Sequence, residues 1–237
     1  GDDEAIRAFA ADLLARAGVA RVVIALRDPD PRTNGQGAAW LRDRGVTVDM
    51  GLMADEAAAA MAGFVLRQTL GRPHVTLKLG LSLDGQIALA NGSSRWITGP
   101  QARAHAHLER ARHDAILVGG GTLRADAPRL DVRLPGLEDR APRRLLLTRG
   151  PAPGNWERIG APEEIATLDR VDHLLVEGGA GAAAAFLRAD LIDRLLLYRA
   201  PILIGDGLAG IGDIGLGDLA QAHGRWRLTD GRTLGVD

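Results

Sequence analysis

Apolar residues in this chain come in two forms, short unbroken aliphatic runs and longer alanine-rich stretches, and the two alternate. That alternation predicts strands exchanging with helices, an α/β fold. The runs Arg21-Val22-Val23-Ile24-Ala25-Leu26, Ala115-Ile116-Leu117-Val118 and His173-Leu174-Leu175-Val176 are apolar on both strand faces. Strands of that kind are buried on both sides, as in a mostly parallel sheet. Further strands are expected at residues 46–48, 74–79, 143–148 and 193–198. Residues 201–204 and a strand-like 225–228 are read as closing the sheet, with antiparallel pairing at the end. Helices are expected at residues 4–17, stopping at Gly18, at 37–44, 54–70 and 101–112, and from Gly181 to about Ala189. Residues 149–170 hold three prolines and no clear period, so they are expected to be irregular.

Gly71-Arg72-Pro73 punctuates the chain. Residues 1–71 supply two strands and three helices, which would leave a sheet edge open over a small core. They read as the end of a larger domain, and residues 72–237 as a second domain.

Composition narrows the chemistry. The chain has 237 residues, a formal net charge of −1 and no cysteine. Disulfides, thiol nucleophiles and cysteine-ligated zinc are therefore excluded within it. The charge balance argues against a general nucleic-acid or anionic-membrane partner. No run has the length of a membrane helix, and the acidic opening is not patterned as a signal peptide, so a cytoplasmic protein is expected. The 29 basic residues are Lys78 and 28 arginines, which makes Lys78 the one side-chain amine.

Four features could carry chemistry. Glu177-Gly178-Gly179-Ala180-Gly181 lies where a strand passes into a helix, a place where backbone amides can meet a phosphate. Gly119-Gly120-Gly121-Thr122 also follows a buried strand, at the carboxyl end where open α/β sheets bind ligands. Either glycine run also has the plain reading of a tight connection. Arg103 and Arg110, seven apart on one helix face, join Arg133, Ser94 and Trp96 as a possible phosphate and ring-binding set. With so many arginines a solvated surface is the competing reading, and for Trp96 a core role. Lys78 and Glu177 are each read at a strand end, and with Asp126 they suit either hydroxyl binding and proton handling or a structural salt bridge. His105, His107 and His113 lack a metal-pair spacing and are read as surface residues. No P-loop, HExxH or G-x-S-x-G pattern is present.

Several ordered blocks carry a resemblance. They are Lys78-Leu79-Gly80-Leu81-Ser82-Leu83-Asp84-Gly85, Ser94-Arg95-Trp96-Ile97-Thr98-Gly99-Pro100-Gln101-Ala102-Arg103, Thr122 with Asp126-Ala127-Pro128-Arg129-Leu130, and Val176-Glu177-Gly178-Gly179. Together they resemble the reductase half of the bifunctional riboflavin-biosynthesis deaminase/reductase family. The resemblance implies a dihydrofolate-reductase-like domain, preceded by a partial cytidine-deaminase-like α/β layer. The layer is suggested by Asp28-Pro29-Asp30-Pro31 and Gly35-Gln36-Gly37. It further implies NADPH-dependent reduction of 5-amino-6-(5-phosphoribosylamino)uracil, a small-molecule substrate. The exposed edges expected of both parts suggest a homodimer. Zinc is implied only alongside a complete deaminase half, and no metal ligand is assigned here.

Carried over by position, Gly80, Trp96, Thr122, Asp126, Gly178, Gly179, Ala180 and Gly181 match cofactor contacts. Ser94, Arg110, Leu130, Arg133 and Glu177 match substrate contacts. Lys78, Asp126 and Glu177 match the polar groups around the reacting ribose. Leu81 stands where the family has a smaller residue, which would reshape the nicotinamide pocket. A related pteridine or pyrimidine reductase of the same fold, and a non-catalytic nucleotide-binding protein, are the alternative readings.

Overall fold

The computed structural model describes residues 10–237. Its chain divides into two compact units, the first ending at Arg72 and the second beginning at Pro73. In the first, α1 (residues 10–16) precedes β1 (Arg21–Ile24), α2 (Gln36–Asp43), β2 (Thr47–Met50), α3 (Ala54–Ala60) and α4 (Ala62–Leu70). β1 and β2 pair in parallel. Ala38 and Leu41 of α2 pack against Val46, Val48 and Ala11. One sequence expectation shifts here and part of another goes untested. The single helix expected over 54–70 is two, because Met61 leaves helical geometry at φ −113°, ψ 25°. The expected helix start at residues 4–9 lies outside the described residues.

The second unit contains β3 (His74–Leu81), β4 (Gln86–Leu89), α5 (Pro100–Ala111), β5 (Ala115–Gly119), α6 (Gly120–Asp126), β6 (Arg143–Leu147), β7 (Glu157–Ile159), β8 (His173–Val176), α7 (Ala180–Arg188), β9 (Arg194–Arg199) and β10 (Gly207–Ala209). Six strands form one sheet in the order β7-β6-β5-β8-β3-β9. All five of its pairings are parallel. The expected antiparallel pairing is found instead in a separate two-stranded ribbon, β4 with β10.

Both faces of the sheet are covered. Val75, Leu77, Leu117, Leu145, Leu174 and Val176 pack on one side with Ala183 and Phe186 of α7. Ile116, Val118, Leu146 and Leu175 pack on the other with Leu130. Also on that second side, α5 reaches β9 through Ala102 and Ala106, which lie on Tyr198. Spaced four apart, these two small residues share one helix face and let the helix approach closely.

Local differences from expectation have local causes. Residues 149–170 are not wholly irregular: β7 adds to the sheet edge and a short 3-10 helix spans Pro162–Thr167, burying Ile165. Residues 201–204 do not continue the sheet, and 225–228 are exposed coil. The glycine run after β5 is not an open loop either, because α6 begins at Gly120.

His113 is buried rather than on the surface. Its ring lies edge-on to His173, and its Nδ1 is 2.6 Å from the carbonyl of Glu109. His105 and His107 are half-buried and bonded to Tyr198 and the Asp131 carbonyl. A helix packed on the sheet turns inward histidines that the sequence spacing left outward.

Candidate active site

A cleft of about 1080 Å³ opens in the second unit at the carboxyl ends of β3, β5 and β8. That end of a parallel sheet is where helix N-termini and loops converge on a ligand. The β4–β10 ribbon forms one lip, through Ala88 and residues 207–209. Gly207 is needed there, because a Cβ would meet the carbonyl oxygen of Ala88 at 2.5 Å.

At the base of the cleft lies an ionic cluster. Alternation along β3 turns Leu77 toward α7 and Lys78 toward the α5 side. Glu177 follows β8 and points to that same side. Its carboxylate receives Nε of Arg110 at 2.7 Å and Nη2 at 2.8 Å, a two-pronged contact. Lys78 Nζ is 3.8 Å from Glu177 Oε2. Arg110 also donates to the Asp131 carbonyl at 3.1 Å.

Burial alone pushes the Glu177 carboxyl up, but the Lys78 charge and the Arg110 hydrogen bonds outweigh it and hold the group below the usual carboxylate range. Burial likewise disfavours the Arg110 cation, and the Glu177 bond overcomes this to hold it above its ordinary value. Glu177 and Arg110 thus hold each other ionised at the base of the cleft, with Lys78 beside them.

Around it stand the two glycine turns. The Gly179 N–H donates to Thr122 Oγ1 at 3.0 Å, which ties the start of α7 to the first turn of α6. A Cβ on Gly178 would meet the Ala182 Cβ at 2.4 Å, so glycine is required for α7 to begin where it does. The first amides of α7, which geometry leaves without intrahelical acceptors, border the cleft at Ala180 and Gly181.

On the opposite wall Trp96 is 65% exposed, with the Arg103 guanidinium 4.6 Å from its ring centroid. Arg103 also bonds to the Thr98 carbonyl. Arg133 sits at the rim with an exposed side chain, 3.4 Å from Asp131.

The cleft therefore brings together Lys78, Gly80, Ser94, Trp96, Arg110, Thr122, Asp126, Arg133, Glu177, Gly178, Gly179, Ala180 and Gly181. Asp126 is an exposed residue at the end of α6. Leu130 stands apart: it is 4% exposed and packs among Ile116, Val118, Leu146 and Leu175.

Two contributors escaped the sequence reading as site residues. The β4–β10 lip has no residue of distinctive chemistry to announce it. His107 lines the cleft, and its position between Arg103 and Arg110, at steps of four and three, was a usable helical-face signal. Burial, then the Arg110 and Arg133 charges, hold its imidazole below the usual value.

The Ser82-Leu83-Asp84-Gly85 block has a different task. Asp84 accepts from the amides of Ile204 and Gly205 at 3.2 and 2.7 Å, and from the Ser82 hydroxyl at 2.5 Å. It clamps the β3–β4 turn to the segment that leads into β10. Gly85, at φ +82°, makes that turn. Among the described residues no cluster of acidic or histidine side chains is arranged for a metal ion.

Residues 73–237 match the family model "RibD C-terminal domain". The riboflavin biosynthesis protein RibD of Mycobacterium tuberculosis is 38% identical over 94% of this chain and 70% of its own length. That of Escherichia coli is 34% identical over 95% of this chain and 75% of its own. The solved structure of Acinetobacter baumannii RibD superposes with a TM-score of 0.83 at 30% identity, covering 95% of this chain and 73% of that one. A diaminohydroxyphosphoribosylaminopyrimidine deaminase/5-amino-6-(5-phosphoribosylamino)uracil reductase from Thermotoga maritima gives 0.77 at 30% identity, over 89% of this chain and 67% of that one. The second unit accordingly has the dihydrofolate-reductase-like fold that the resemblance implied. The chain belongs to the RibD family of riboflavin-biosynthesis proteins, and residues 73–237 are its C-terminal oxidoreductase domain.

Proposed function

We propose that the second unit reduces 5-amino-6-(5-phosphoribosylamino)uracil to its ribitylamino product with NADPH. The observation that carries this reading is the Lys78–Glu177–Arg110 cluster lying in the same cleft as the open amides of α7.

The residues present fit such a cofactor. The α7 amides suit a pyrophosphate, and Thr122 fixes Gly179 beside them. Trp96 offers an exposed ring face, Gly80 leaves β3 without a side chain where it lines the cleft, and Asp126 offers a carboxylate to hydroxyls at the rim. When bound, NADPH supplies the hydride. The reduction adds two electrons and two hydrogens to the substrate: the hydride at C1 of the opened ribose, and a separate proton on the adjoining oxygen or nitrogen, which must come from the protein or solvent.

Lys78 is the cation placed to polarise or protonate that atom. Glu177 pairs with Lys78 and accepts ribose hydroxyls, and Arg110 fixes the Glu177 carboxylate. Ser94 contributes a hydroxyl toward the substrate. Arg133, exposed at the rim, meets the phosphate. Leu130 supports the Asp131 turn, whose carbonyl receives Arg110.

The first unit is proposed to be the tail of a deaminase-like half, with zinc relevant only where that half is complete. Its two-stranded sheet, with Val23 47% and Met50 37% exposed, suits a partner layer. The open edge strand β9, with Leu197 44% exposed, supports a homodimer. A cytoplasmic location, with no membrane or nucleic-acid partner, is part of the same proposal; no described helix is long and apolar enough to cross a membrane.

The test is NADPH oxidation by the purified chain, with the phosphoribosylaminopyrimidine and with dihydrofolate as separate substrates. Turnover of the pyrimidine alone is expected. Turnover of dihydrofolate alone overturns the substrate assignment.

A further inference from the structure

Lys78 has a second neighbour that the reading above does not use. Tyr198 of β9 pairs in register with Gly80, two residues beyond Lys78 and on the same sheet face. Lys78 Nζ lies 5.5 Å from its ring centroid, within the range of a cation–π contact. The ring is not free to turn away. Tyr198 is 5% exposed beneath Ala102 and Ala106. Its hydroxyl shares a 2.7 Å hydrogen bond with Nδ1 of His105, and the two rings meet edge to face at 5.8 Å.

We propose that Tyr198 is a positioning residue for Lys78: its ring face holds the ammonium in place, and His105 sets the angle of the ring. The proposal rests on the assignment of Lys78 to the reduction, and it explains how that assignment works. An ion pair of 3.8 Å with Glu177 alone leaves a flexible four-carbon stem free to swing, because Arg110 already occupies both carboxylate oxygens. A ring on the other side restricts the ammonium to one side of the cleft. It does so without competing for the substrate's hydrogen-bonding atoms.

Other charged groups surround this pair. Glu177 and, through it, Arg110 face Lys78 from β8 and α5, and His107, Arg103 and Asp126 line the same cleft from α5 and α6. Glu109 and Arg194 act on Tyr198 from below. None of them is altered by changing the electron density of one ring.

Lys78 is the only lysine in the chain. Lysine labelled at its side-chain nitrogen therefore gives one side-chain signal whose titration by NMR reports Lys78 directly, with neither substrate nor cofactor present. Tyr198→Phe should keep the titration midpoint, and Tyr198→Leu should lower it by about half a pH unit, the size a partly exposed cation–π contact gives. Replacing Tyr198 with trifluorophenylalanine keeps the ring's shape, and so spares folding, while removing its negative face. It should lower the midpoint as leucine does. A midpoint that is the same for phenylalanine and its fluorinated analogue overturns the proposal.

In single-turnover assays, Tyr198→Leu should slow hydride transfer about tenfold with NADPH affinity retained, and an unchanged rate also overturns it. Lys78→Ala separates the two levels. If its hydride transfer is as fast as the parent's, the assignment of Lys78 fails whatever the titration shows. If it is slow while the fluorinated ring changes nothing, only the role of Tyr198 fails.

Discussion

β3 and β8 carry ionisable side chains at both of their ends, and the two ends treat burial in opposite ways. At the carboxyl end burial works against the Glu177 carboxylate, yet Lys78 and Arg110 keep it ionised. At the amino end His74 and His173 face each other in register, with ring centroids 5.6 Å apart, and His113 adds a third ring 6.0 Å from His173. There burial lowers the His74 imidazole to about 4; Asp193 opposes the shift, while His173, His113 and Arg194 reinforce it. Burial likewise lowers His113. Desolvation penalises charge at both ends, and what differs is whether opposite charges outweigh it. In the cleft Lys78 and Arg110 do so for Glu177, whereas at the amino end Asp193 and Glu109 only partly offset burial for His74 and His113.

The comparison can be broken most forcefully at the cleft. Arg110→Ala leaves a buried carboxylate with only Lys78 opposite, and should destabilise the chain by about 3–5 kcal/mol. Urea denaturation measures it, and the double variant Arg110→Met, Glu177→Leu should recover most of the loss if unpaired charge is the cause. A double variant as unstable as the single one would mean that packing, not charge, was lost.

Lys78→Ala should come next in size, slowing hydride transfer by about a hundredfold or more, the usual reach of a positioned proton donor, with NADPH affinity kept. An unchanged single-turnover rate removes Lys78 from the chemistry. Arg133→Ala, at the exposed rim, should raise the substrate Kd by about tenfold, the value of one charge-assisted hydrogen bond in a partly wet site. NADPH affinity should not change, and equal loss of both affinities would point to misfolding instead.

The smallest effect sharpens the other end. An imidazole held at about 4 in the folded chain, against 6.5 for its ordinary value, binds its proton more readily when unfolded. Its stabilising contribution is therefore complete above about pH 6.5 and declines as pH falls toward 4. Melting temperature followed from pH 7 to 5 should drop, and His74→Gln should flatten that slope. An equally steep slope in the variant would shift the effect to other groups.

What the sequence disclosed about all this follows from range. The buried strands could be read because their apolar runs are continuous: Ala115 to Val118 and Leu174 to Val176 announce parallel, doubly covered strands by composition alone. The carboxyl side of the sheet followed, and with it Lys78 and Glu177 as neighbours, although β3 runs past Lys78 and the expected end at residue 79 to Leu81. Two sorts of feature stayed hidden. One depends on pairing at a distance, such as the β4–β10 ribbon, whose residues have no period of their own, and β7 at the sheet edge. The other depends on which helix face turns inward. His113 was read as exposed because nothing in its spacing records that it caps a turn above His173. Leu130 shows the reverse limit, since a position matched by resemblance is, in this fold, a core residue with φ +52°.

Ala102 and Ala106 act as a spacer gauge for the whole catalytic opening. The same helix that rests on Tyr198 through these two methyl groups delivers Arg110 to Glu177, Arg103 to Trp96 and His105 to the tyrosine hydroxyl. Every added methylene at either alanine would jack the helix outward and loosen three distant contacts at once. Two of the least reactive side chains in the molecule thereby calibrate the reach of its most reactive ones.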